Sequence, residues 1–153
     1  MSIMGLFQAI DASASGMTAE RLRMDVISNN IANANTTRTA EGGPYRRQMV
    51  VFEPRSEQAS FGQILSKQMD TGDEMDTGNG VRVTGITKDT TPFKLMYDPN
   101  HPDANTEGYV EMPNISIVSE MVDMITASRA YEANVTAANA AKSMAMKALD
   151  IGK

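Results

Sequence analysis

From Ser2 to about Asn33 the chain has no proline, and only Gly5 and Gly16 interrupt good helix formers. Apolar residues fall at Ile3, Leu6, Ile10, Met17, Met24, Ile27 and Ile31. Steps of three, four or seven put them on one face of an α-helix with a near-heptad repeat. Ser13 and Glu20 take the remaining stripe positions, so the seam is imperfect. At 1.5 Å per residue such a helix is a rod of roughly 48 Å. The far end matches it. Between about Ile115 and Leu149 there is again no proline and no glycine. Met121, Met124, Ser128, Tyr131, Val135, Ala138, Ala145 and Leu149 follow the same spacing; Lys142 intrudes, and Val118, Ile125 and Met146 broaden the stripe. The alanines at 137, 138, 140, 141, 145 and 148 favour helix and let backbones approach closely. Asn114 is placed to cap this helix, with Pro113 barring its extension backward.

Between the two stretches the texture changes. Gln48–Glu53 is a short β-branched run, and Gly80–Lys88 alternates Val81, Val83 and, after a glycine, Ile86, as a half-buried strand does. Thr91–Tyr97 is a further strand candidate, and Ser56–Gln68 a short helix candidate. Turn-rich stretches at 41–44, 70–80 and 98–108 separate them. The expected fold class is mainly α with a small β-rich insertion. Residues 1–35 and 114–153 supply long helices pairing as an antiparallel coiled coil, and residues 36–113 form the central segment of strands and loops.

The outer faces of these helices are weakly charged. Residues 1–34 carry only Asp11, Glu20, Arg21, Arg23 and Asp25 as charged side chains, with alanine, serine and asparagine filling the rest. Solvent-facing helices usually hold more Glu and Lys, so packing against further helices is one reading. A monomeric bundle that buries the stripes internally is the other, and periodicity alone leaves both open. Binding to a membrane surface would ask for Lys/Arg faces with Trp or Phe anchors, which are scarce.

Composition narrows the chemistry. The 153 residues include 13 methionines and no tryptophan, which suits contacts that adapt to several neighbours. A net charge of −5 argues against a nucleic-acid binder. Without cysteine, disulfide and thiolate chemistry are excluded. Met1–Ile10 lacks a basic leader before a long apolar run, so no cleavable secretory signal is expected. No stretch reaches the roughly 20 apolar residues of a membrane span. His101 and the acids around it lack the glycine and spacing of a calcium loop. Nucleophile and phosphate-loop signatures are missing as well, so neither catalysis nor a cofactor or metal is expected.

The most specific string is Ile27–Thr37, ISNNIANANTT, which closes the first helix. It resembles the N-terminal signature of the axial proteins of the bacterial flagellum, the rod, hook and hook–filament junction subunits. Residues 19–24 (AERLRM), 36–48 (TTRTAEGGPYRRQ), 109–114 (YVEMPN) and 121–135 (MVDMITASRAYEANV) resemble its proximal-rod members. Gly42-Gly43 lies later than the glycine that other rod and hook members carry near the signature threonine.

The resemblance implies a structural subunit of the basal body, exported unfolded through the flagellum-specific type III gate and assembled into the proximal rod. Its partners would be other proximal rod proteins, the ring–rod adaptor and the distal rod protein, in homo- and hetero-oligomeric contact that transmits motor torque. The alternatives are another axial subunit or a monomeric helical binding module. Inter-subunit contact is expected at Ile10, Met17, Met24, Ile27, Asn29, Asn30, Ile31, Asn33 and Thr36, and opposite them at Met121, Ile125, Tyr131, Val135 and Leu149. Without partners, the terminal helices are expected to be partly disordered and to fold on assembly.

Overall fold

Both proline-free stretches are helical. The computed structural model describes residues 3–55 and 79–151. Helix α1 spans Ile3–Ala32 and helix α2 spans Ile117–Ile151. They lie side by side and antiparallel: Asn30 meets Glu120, Arg23 meets Asp123, and Gly16 meets Asn134. Among the described residues, no helix is long and apolar enough to cross a membrane.

The mutual face of the helices is not the one that the large apolar residues mark. On α2 the buried positions are Glu120, Ala127 and Ala141, and Asn134 completes that seven-residue spacing against Gly16. The stripe expected to be innermost, Met121–Ser128–Val135–Lys142–Leu149, sits one residue later. A one-residue shift rotates a helix by about 100°, enough to move a side chain from the seam to its flank. Met121 and Leu149 are exposed, while Ser128 and Val135 are half-buried. Helix α1 shows the same offset: Gly16, Arg23 and Asn30 face α2, and Met17, Met24 and Ile31 lie half-buried beside them. The physical reason is close approach. A Cβ on Gly16 would stand 2.7 Å from the Asn134 amide nitrogen, so the backbones come together where side chains are small and push the large ones aside.

The cap of α2 is Ser116, not Asn114. The Ser116 hydroxyl accepts from the Ser119 N–H at 3.4 Å, and its carbonyl accepts from the Glu120 N–H. Asn114 instead donates to the Thr91 hydroxyl. Glu120 in the first turn also complements the positive end of the helix dipole.

The middle holds two separate antiparallel pairs. Strand β1 (Gln48–Pro54) pairs with β2 (Val81–Lys88), and β3 (Lys94–Tyr97) pairs with β4 (Tyr109–Met112). The register of the first pair shifts between Val51 and Phe52. This irregularity sets Ile86, opposite Val50, on the face that carries Val83 and Val81, as the glycine-interrupted alternation expects, although Ile86 at that end is 47% exposed. Strand β4 has little signal in the sequence, because four residues around a glutamate carry too little alternation. The helix expected at 56–68 lies outside the described residues. Where β2 begins, Gly80 has φ +92° and approaches α1 so closely that a Cβ would stand 3.0 Å from the Ala12 Cα. The adjacent Val81 N–H donates to the Ser15 hydroxyl, seating the first strand pair on α1.

Candidate functional site

The signature segment ends α1 with its own side chains. The Asn33 amide donates to the Asn29 carbonyl, and its oxygen accepts from the Thr36 hydroxyl. These bonds occupy groups that the end of a helix leaves without partners. The Thr36 carbonyl then accepts from the Tyr45 N–H, closing the loop at 36–45 and returning the chain alongside α1.

That return brings Tyr45, Arg47 and Gln48 onto Asn30, which is 1% exposed. The Asn30 amide nitrogen donates to the Gln48 carbonyl at 2.9 Å and to the Glu120 carboxylate at 3.0 Å. Its oxygen accepts from the Gln48 N–H at 2.9 Å and the Tyr45 hydroxyl at 3.2 Å. One side chain thus reads both backbone groups of Gln48 and reaches α2 as well. Both donors and both acceptor sites are filled.

Glu120 is equally buried and divides its oxygens between Asn30 and Arg47, whose Nε donates at 2.6 Å. The other arm of Arg47 lies 3.5 Å from Asp123, and the far oxygen of Asp123 is 3.8 Å from Arg23. Burial first, then the negative charge of Glu120, pushes the Tyr45 hydroxyl above its ordinary pKa of 10.0. The pairing of every buried charge is what makes the cluster tolerable, because an unpaired one costs several kcal/mol. With these groups engaged to one another, the arrangement fastens α1, α2 and β1 together. An open cleft of about 290 Å³ adjoins it, walled in part by Arg23, Ile27, Met49 and Phe52.

The residues expected at an interface fall into three groups. Ile27 and Asn30 are buried inside this chain. Ile10, Met17, Met24, Ile31, Asn33, Thr36, Tyr131 and Val135 are half-buried. Asn29, Met121, Ile125 and Leu149 are exposed. Sequence reasoning missed Glu120, Arg47 and Tyr45. A glutamate in a first helical turn reads as a dipole partner, and Arg46-Arg47 as solvated charge.

On α2, Val118, Met121, Val122 and Ile125 follow one another at helical spacing and are 74%, 54%, 58% and 53% exposed. Four large apolar side chains in one open stripe are more than the scattered single residues of an ordinary surface. The loop at 98–108 turns on itself instead. The Asp103 N–H donates to His101 Nδ1, and the Asp103 carboxylate accepts from the Thr37 hydroxyl.

Two family models match the chain. One, described as flagella basal body rod protein, matches residues 10–38. The other, flagellar basal body rod FlgEFG protein C-terminal, matches residues 106–151. A flagellar basal-body rod protein FlgC from Borreliella burgdorferi is 54% identical over 97% of this chain and 98% of its own length. The protein of the same name from Bacillus subtilis is 51% identical over 98% of this chain and all of its own length. The one from Salmonella typhimurium is 37% identical over the same shares.

Proposed function

This chain belongs to the FlgC family of flagellar basal-body rod proteins, and from that membership we propose that it is a structural subunit of the proximal rod. The family is structural and not enzymatic, and it assembles with other rod components. In this reading the subunit travels unfolded through the flagellar type III apparatus and takes its place in the rod. There it touches copies of itself and other proximal rod proteins, with the ring–rod adaptor and the distal rod protein as further neighbours, and torque passes through these contacts. Residues 1–35 and 114–153 form the axial core, and residues 36–113 lie outside it.

The observation that carries the reading is the division of labour on α2. Ala127, Ala141 and the polar Glu120 and Asn134 face α1, while Val118, Met121, Val122 and Ile125 face outward. Within the rod the helix pair works as a two-helix coiled coil, and its flanking heptads (Met17, Met24, Ile31 and Met121, Ser128, Val135) pack against neighbouring subunits. Asn29, Leu149 and Ile10 extend that surface, and Tyr131, Asn33 and Thr36 border it. Ile27 and Asn30 act from within by holding α1 in place.

Replacing Val122 or Ile125 by Asp tests the proposal. Both side chains already face solvent in the single chain, so its folding should survive. In the rod each variant buries an unpaired charge, which is prohibitive without a partner. Cells carrying either variant should fail to swim, and purified basal bodies should lack the subunit. Ile31→Asp and Val135→Asp should block swimming as well. Normal swimming by all four strains would contradict the proposal.

A further inference from the structure

The seam between the helices poses a problem of register. Its buried positions on α2 apart from Glu120 are alanines, Ala127 and Ala141; on α1 Gly16 and Ala19 are comparably small, while the larger buried residues, Val26 and Ile27, lie near the polar cluster. Sliding one helix past the other by a heptad would set Ala127 or Ala141 against Gly16 in place of Asn134, without a clash there. Such a seam supplies close packing but discriminates weakly between alignments, as flat or uniform cores do. The buried polar cluster discriminates sharply. Only one alignment sets Glu120 beside Asn30 while Arg47 reaches the other carboxylate oxygen. Slipped one heptad one way, Asn30 would meet Ala127; slipped the other way, Glu120 would face Arg23 and leave Asn30 and Arg47 without its carboxylate.

We propose that Asn30, Glu120 and Arg47 form a register lock that selects one alignment of α2 on α1 and ties it to the position of β1. Its members contribute specificity more than stability, as a single buried polar residue does in a coiled-coil seam. Because the Asn30 side chain also holds both backbone groups of Gln48, the same lock sets where the β1–β2 pair lies along the helices. The alignment it selects is the one that presents the outer apolar stripe at a single height.

The absence of cysteine from the sequence makes disulfide trapping a clean test in the full-length purified chain. Gly16→Cys with Asn134→Cys reports the observed alignment. Gly16→Cys with Ala127→Cys or with Ala141→Cys, each carrying Asn134→Ala to make room for the new Cβ, reports a one-heptad slip, a displacement of roughly 10 Å along α2 that a disulfide cannot span in the native register. With the lock intact, oxidation should close only the 16–134 bridge. In the combined variant Asn30→Leu, Glu120→Met, Arg47→Met, circular dichroism should show the helices retained. The slipped bridges should then form in yields comparable to the native one. Ser15→Ala, which removes another tie between α1 and the first strand pair, should leave 16–134 as the one bridge that forms. Persistence of the single 16–134 bridge in the combined variant would overturn the proposal. So would loss of its helices, which would make the cluster a stability element, and so would slipped bridges or no 16–134 bridge in the lock-intact chain.

Discussion

Removing the Asn30 amide strands several partners at once: both backbone groups of Gln48, one oxygen of Glu120 and the Tyr45 hydroxyl. Buried groups left without partners cost about 1–3 kcal/mol each, partly recovered by relaxation, so Asn30→Ala should destabilise the chain by roughly 2–4 kcal/mol. Asn29→Ala, on the exposed side of the same turn, should change stability by less than about 0.5 kcal/mol. Urea unfolding of the two variants makes the comparison, and equal losses would contradict the assignment of Asn30 to the interior. Tyr45 adds a pH signature. Its raised pKa means that folded and unfolded chains both hold the phenolic proton below pH 10, where its contribution is intact. As pH climbs past 10 the unfolded chain releases that proton first, and stability falls until the folded pKa is passed. Tyr45→Phe should flatten that alkaline fall relative to the unsubstituted chain in melts taken at successive pH values. Neither assignment was legible in the sequence. Asparagines in ISNNIANANTT read as a polar helix end, and only the return of the chain through Tyr45 to Gln48 shows which of them turns inward.

Both long helices were legible as elements because proline-free runs with three-four spacing leave few alternatives. Their phase was not. Counting large apolar residues centres each seam on Met17–Met24–Ile31 and Met121–Val135, whereas Gly16, Ala127 and Ala141 centre it one residue earlier. Hydrophobicity marks what an element buries eventually, and it does not say whether the partner belongs to the same chain. The strand at 109–112 is too short to carry a periodic signal, and Asn114, two residues before the cap, has a cap's chemistry but bonds to Thr91. Ser116→Ala should cost roughly 0.5–1 kcal/mol, at the lower end for a cap given its long bond to Ser119. Asn114→Ala should leave α2 capped, so a larger loss of α2 helicity from Asn114→Ala than from Ser116→Ala would reverse the assignment. Along the helices, packing weakens away from the lock. Phe7 and Leu149 are 65% and 69% exposed, and residues 142–144 and 146–150 are all exposed. In the isolated chain amide exchange should therefore be fast over 142–150 and slow around 19–31 and 120–131. Uniform protection along α2 would contradict that gradient.

At the scale of the whole molecule, a chain with few aromatics and a seam of small residues ties two helices and a strand pair together by a buried polar cluster. Four large apolar side chains, Val118, Met121, Val122 and Ile125, remain on the outside of α2. Family membership says which assembly the chain serves, and the outward stripe says how a neighbour would hold it. The partners themselves were legible only through the signature and its flanking strings, since periodicity describes a single chain and leaves the occupant of an open face unspecified. The most direct test of the account is maleimide labelling of a Val122→Cys variant, the sole thiol in the molecule, in intact purified basal bodies and in chains released from them. The account predicts rapid labelling of the released chain and strong protection in the intact particle. Equally rapid labelling in both would contradict it.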